Sequence, residues 1–248
     1  MKPIWLAVPA LFCLHACSAQ TPSPPPTVEP VHIAITPTLA PLRIALQACA
    51  TTQAGTSLQV ETVPASQLNY ETSDLVFRLG FSDPLPAFSV PIAGERMQVV
   101  VHPALNISQL DRKELDQLFS GQVRNWAVLG GMEMDVVVWL PPPGADQRII
   151  FDTQFLSGSH TSPMARFAPN PQAMLEAVAE TPGSIGYLPG AWDVAALTRI
   201  DLPLITPVLA LSARDPTGPA YRLLVCLQSQ AGQQILSQHY IPLAELEP

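Results

Sequence analysis

Charge is scarce in this chain: Asp, Glu, Lys and Arg make up only 13% of its 248 residues, and the 12 basic residues form no run. A nucleic-acid groove needs a basic stripe to neutralise phosphates, so that class of partner is excluded. Cysteine is scarce as well, four in all, and none stands at metal-ligand spacing. The histidines, at 15, 32, 102, 160 and 239, are scattered and give no metal-binding pair on a helix face. A glycine-rich phosphate loop and a dinucleotide fingerprint are both missing. Ser157-Gly-Ser-His160 lacks the strand–turn–helix setting of a nucleophile elbow and reads as a polar loop. Catalysis is therefore not expected, nor any cofactor. What the chain does have is apolar residues, 48% of the total, enough for one large domain or two lobes of roughly 100 residues each. The formal charge is −8, so an anionic ligand would have to be held by local donors working against the overall field.

The N-terminus reads as an export signal, residues 1–16. Lys2 supplies the charged start, and Ile4 to Leu14 is an apolar stretch too short to span a bilayer of roughly 30 Å. It ends in Leu14-His15-Ala16-Cys17, which resembles the lipobox of bacterial lipoproteins. That resemblance implies cleavage before Cys17 and diacylglycerol on its thiol; the alternative is an ordinary signal peptide with an incidental cysteine. Residues 17–30 follow as a tether, and Thr21-Pro-Ser-Pro-Pro-Pro-Thr27 favours polyproline II, a semi-rigid spacer. No C-terminal transmembrane segment is evident, so the expected anchor is the lipid. Cys13 would leave with the signal. Cys49 and Cys226 lie in apolar helical stretches and read either as buried free thiols or, if both belong to one lobe, as a disulfide.

Strand and helix patterns alternate along the rest of the chain, which indicates an α/β fold. Strands are expected at Val31–Ile35, Leu58–Val63, Asp74–Leu79, Met97–His102, Asp135–Leu140, Ser184–Leu188 and Pro207–Leu211. The unbroken Val99-Val100-Val101 suits a strand buried on both faces. Helices are expected from Leu39 to Cys49, from Asp111 to Phe119, from Asp146 to Leu156, after Asn170-Pro171, and once or twice between Pro219 and Tyr240. Asp111 and Glu114 form a capping box, Leu110 and Leu115 a hydrophobic staple, and Gly121 a left-handed stop.

The segment from Leu110 to Gly131 carries a capped helix ending in Phe119-Ser-Gly121, then Asn125-Trp126 and Gly130-Gly131. It resembles the hallmark segment of the PstS-type phosphate-binding proteins. Thr181-Pro-Gly-Ser-Ile-Gly-Tyr187 is similar to that family's Pro-Gly-x-Ile-Gly-Tyr strand, and Ala220 to Ile241 to its closing helix. Thr36 to Pro41 resembles the opening strand–loop–helix, and Pro91-Ile92-Ala93 with Val99 to Val101 the crossover strand. The resemblance implies a two-lobed periplasmic-binding-protein type II fold with two crossover strands, lobe 1 being 31–102 plus 204–248 and lobe 2 being 103–203. It also implies an extracytoplasmic, monomeric solute-binding protein of an ABC importer, holding phosphate or another anion between the lobes and passing it to a membrane permease. A sensing or surface-interaction module on the same fold is the alternative.

In that family three loops grip phosphate. The first corresponds here to Thr38, with Leu39 beside it, where a hydroxyl and backbone N–H groups stand at a helix start. The second corresponds to Pro64-Ala65-Ser66, in which no glycine is present and Ser66 reads either as a donor or as a loop serine of no function. The third, a Gly-Ser-Gly-Thr-Arg turn, here reads Gly144-Ala145-Asp146-Gln147-Arg148, followed by Phe151. Two hydroxyl donors have thus given way to Ala145 and Gln147. Asp146 is open to two readings: a negative charge where the anion should lie, or the N-cap of the following helix. Arg148 faces either the cleft or solvent, and Arg78 is the expected counter-charge to a bound anion.

Overall fold

The computed structural model describes residues 29–80, 84–156, 160–194 and 196–246. The export signal, Cys13, Cys17 and the tether up to residue 28 lie outside the described residues, as do 157–159.

The apolar run Val31–Ile35 forms most of strand β1 (Glu29–Ile35), which also takes in Glu29 and Pro30 from the expected tether. Proline gives no N–H to a ladder, and Pro30 sits where β1 has a neighbour on one side alone. β2 (Thr56–Thr62) pairs along the whole of β1, whereas β3 (Leu75–Leu79) joins only from Ile33; both are parallel to it. Two long strands, β4 (Phe88–Val101) and β8 (Thr198–Ser212), then run antiparallel through the middle of the sheet. The end of β8 pairs with β3, and the end of β4 with β7 (Ser184–Pro189). β5 (Val137–Leu140) follows β7 in parallel and carries the short β6 (Arg166–Phe167) at its edge. The strand order is β2-β1-β3-β8-β4-β7-β5-β6. Its two ends are joined by β4 and β8, whose mutual register shifts between Pro91 and Ala93 and between Arg96 and Gln98.

Helices cover both ends. At the first, a 3-10 turn (Pro37–Leu42) leads into α1 (Arg43–Thr51), which packs with α5 (Gly218–Gln228) and α6 (Gln230–Leu236). At the second, α4 (Pro171–Glu180) lies on β7, while α2 (Arg112–Phe119) and α3 (Asp146–Gln154) close the other face. The capping box of α2 is present: Glu114 N–H donates to Asp111 Oδ1 at 2.7 Å, and Asp111 N–H donates to Glu114 Oε2 at 2.8 Å. Gly121 ends it with φ +78, a conformation that costs residues with a Cβ.

The main apolar core runs through both ends of the sheet and includes Val99 and Val101 of β4. Val100, between them, points the other way and packs with Met174, Val178 and Leu188. The valine triplet is thus buried on both faces. Cys49 of α1 and Cys226 of α5 form a disulfide, with Cα atoms 5.7 Å apart. This corrects the free-thiol reading: the two helices lie side by side at one end of the sheet, a proximity that no local pattern announces. No helix among the described residues is long and apolar enough to cross a membrane.

Candidate functional site

As β1 ends, the chain turns at Thr36 and winds through the 3-10 turn, burying the hydroxyls of Thr36 and Thr38. Opposite them, after β5, the loop Pro141-Pro-Pro-Gly144 reverses with Gly144 at φ +82 and delivers the first residues of α3. The N-cap of α3 is Ala145, and Asp146 is its first helical residue, so the capping reading of Asp146 is corrected. Its side chain reaches across to the other end of the sheet instead. Thr36 Oγ1 donates to Oδ2 at 2.7 Å, Thr38 Oγ1 to Oδ1 at 2.5 Å, and the Leu79 N–H to Oδ2 at 3.0 Å. The Gln147 N–H adds a fourth contact to Oδ1 at 2.9 Å. The Thr38 hydroxyl also lies 3.1 Å from Gln147 Oε1. Asp146 is only 1% exposed, and its four donors supply what a buried carboxylate requires.

Beside this contact lies a cavity of about 190 Å³, lined by residues of both ends, among them Thr38, Ser66, Gly144, Ala145, Gln147 and Asn170. That volume is below the roughly 300–1,000 Å³ common for drug-sized ligands, so it suits a solute of a few heavy atoms. Trp192, after β7, donates its indole N–H to the Thr38 carbonyl at 2.9 Å and so fixes the turn from the far side.

The expected site residues divide in two. Thr38, Ser66, Gly144, Ala145, Asp146 and Gln147 come together around the cavity. Leu39, Arg78 and Arg148 do not line it. Leu39 is fully buried in the main core, because the 3-10 turn directs it inward. Arg148 is neither solvated nor in the cavity: its guanidinium donates to the Pro141 carbonyl, to Thr161 Oγ1 and to Asp152, holding the loop before α3. Arg78 is buried on β3, and its Nε has no hydrogen-bond partner. Thr36, the Leu79 N–H and Trp192 belong to the site without having been expected. Thr36-Pro37-Thr38 was the available signal, two hydroxyls flanking a turn and opposite an acidic residue in a glycine position.

Where β4 crosses between the ends, Glu95 is buried with one carboxyl oxygen lacking a partner. Burial pushes its carboxyl well above the usual carboxylate range, although the nearby N–H groups of Arg96, Ala191 and Gly190 pull it part of the way back. Burial likewise raises the neighbouring Tyr240 phenol, with the Glu95 charge adding to the effect. The folded state therefore holds a proton on Glu95 over a pH range in which the unfolded chain has lost it. Stability is full below the ordinary carboxylate value and falls as pH rises through the raised one. Glu95→Gln is expected to melt higher than the parent at pH 8, by roughly 2–4 °C for each kcal/mol recovered, with a smaller difference at pH 4. Calorimetric melts at the two pH values check this; a variant less stable at pH 8 would count against it.

No protein-family model matches the chain. Among curated proteins, the phosphate-binding protein PstS of Bacillus subtilis (strain 168) is 24% identical over 169 residues, covering 61% of this chain and 56% of that protein. The match thus spans little more than half the length of that relative. Among solved structures, one described as a phosphate ABC transporter substrate-binding protein from Clostridium perfringens, with bound phosphate, superposes with a TM-score of 0.77 at 16% identity. It covers 87% of this chain and 100% of that one. An ABC-type phosphate transport receptor from Vibrio cholerae gives a TM-score of 0.67 at 17% identity, covering 85% and 99%. Sequence likeness and shape agree, and the chain has the two-lobed α/β fold of the PstS-type phosphate ABC transporter substrate-binding proteins.

Proposed function

We propose that the chain is an extracytoplasmic solute-binding lipoprotein of an ABC importer, anchored through lipid on Cys17, which holds a small solute between its lobes and presents it to a permease. The observation that carries this reading is the cavity built jointly by Thr38 and Ser66 on one side and Gly144 to Gln147 on the other. Lobe 1 comprises 31–102 and 204–248, lobe 2 comprises 103–203, and β4 and β8 serve as the hinge between them. Thr38, Ser66, Gly144, Ala145, Asp146 and Gln147 form the ligand wall; Leu39, Arg78 and Arg148 support it from behind. The resemblance to transport receptors supports binding rather than catalysis as the role; in this reading the protein acts as a monomer. The disulfide suits an oxidising compartment, as an exported protein would meet.

Native mass spectrometry of the protein purified without denaturation tests the reading. A bound small molecule is expected at one per chain, released on unfolding and absent from Ser66→Trp, whose indole fills the cavity. A folded protein that retains nothing, and takes up nothing from a growth-medium extract, would contradict it. A non-transport sensing module on the same fold is the second reading, favoured by the way the cleft's own donors are already engaged. Stimulation of a permease ATPase in vesicles separates the two.

A further inference from the structure

Four donors converge on the two oxygens of Asp146, all within 3.0 Å: the Thr36 and Thr38 hydroxyls and the Leu79 N–H from one side, and the Gln147 N–H from its own helix. Hydroxyls and N–H groups at a helix start are the means by which a cleft holds the oxygens of a bound oxyanion. Here they hold a side chain of the protein itself. The rest of the cavity lining is poor in replacements: besides Thr38 and Asp146, its polar side chains are the uncharged Ser66, Gln147 and Asn170. Six of its fourteen lining residues are proline (37, 64, 142, 143, 169 and 171), which have no N–H, and none is Lys, Arg or His. Arg148, the positive charge nearest in sequence, is engaged by Pro141, Thr161 and Asp152.

We propose that the Asp146 carboxylate is a built-in occupant of the cleft's anion subsite. It draws the lobes together without a ligand's charge, excludes phosphate and other inorganic oxyanions, and leaves the proline-walled chamber to a small uncharged solute. The inference rests on the cleft reading above and deepens it. A unit negative charge about 4 Å from that carboxylate, at an effective dielectric near 20, loses about three orders of magnitude in affinity, which is about 4 kcal/mol at 1.4 kcal/mol per tenfold.

Titration calorimetry with inorganic phosphate on the parent, Asp146→Gly and the double variant Thr38→Val/Asp146→Gly tests it. The parent is expected to give no binding heat at millimolar phosphate. Asp146→Gly should bind about 1,000-fold more tightly than the parent, and the double variant should lose most of that gain. Should glycine unsettle the start of α3, Asp146→Ala also vacates those donors and carries the same comparison. Micromolar phosphate binding by the parent overturns the inference while leaving the cleft reading intact. So does a folded Asp146 variant that gains nothing, or a gain that survives loss of the Thr38 hydroxyl. A parent that retains no solute of any kind, beside an Asp146→Gly that gains phosphate, sinks the cleft reading and the uncharged solute with it, while Asp146 stands as the occupant of the anion subsite.

Discussion

Replacing Cys49 and Cys226 together with alanine is expected to lower the free energy of unfolding by about 5 kcal/mol and the melting temperature by roughly 10–20 °C. The bridge joins positions 177 residues apart, from the first helix of the described chain to the last long one. In the chain-entropy account a cross-link of that span restricts the unfolded ensemble by about 5 kcal/mol, near the top of the usual range, because the loop it closes is long. The folded state has little to gain from release, since α1 and α5 pack together with Cys49 fully buried. Between the two cysteines the chain leaves this end of the sheet along β4, builds the other end, and returns along β8. The bridge therefore pins α1 to α5 at this end of the sheet and places no cross-link on β4 or β8. Urea denaturation of parent and double variant is the check. A loss below about 1 kcal/mol, or a parent whose unfolding is unchanged by a reductant, would show that the bridge does not form.

Phe151→Ala is expected to cost about 4 kcal/mol, within the range for deleting a buried phenyl group. Phe151 is fully buried, stacks on Tyr187 at 3.9 Å between ring centroids, and meets Phe119 edge-on at 4.8 Å. On its other side it stacks on Phe155 at 5.2 Å. These rings join α3 to α2 and to β7, so the cluster sets where the start of α3 points and, with it, where Asp146 lies. Truncation should therefore do more than destabilise. It should also loosen the contact between Asp146 and Thr38, read as faster amide exchange at Leu79 and Gln147, whose N–H groups bind that carboxylate. A loss under about 1.5 kcal/mol with exchange unchanged would mean that the cluster neither supports the core nor positions the helix.

Elements specified by local chemistry were legible from the residues. The capping box at Asp111 and Glu114, the left-handed stop at Gly121 and the N-cap at Asn170 all depend on residues within one helical turn, and all three are present. The two long strands β4 and β8 were legible only in part. β8 was expected from Pro207, yet it begins at Thr198 and includes Pro203, which falls where the register with β4 jumps from Ile205 to Asp201 and so owes no ladder hydrogen bond. Pro91 in β4 likewise stands beside a register shift. At the site, the misfit of Asp146 with an anion could be read directly, since a carboxylate stands where a turn needs donors. Its partners could not. Thr36 and Thr38 lie 110 and 108 residues away, and the Leu79 N–H 67 away, so only the folded sheet brings them to it. Arg148 shows the converse: its frame position suggested the cleft, but a carbonyl at Pro141 and a carboxylate at Asp152 were nearer partners.

A crystal structure of the mature protein grown from phosphate-rich solution tests the central claim most directly. The account predicts Asp146 still bound to Thr36, Thr38 and the Leu79 N–H, with no phosphate between Thr38 and Gln147. Phosphate seated on those donors, with the Asp146 side chain turned out of the cleft, would contradict it.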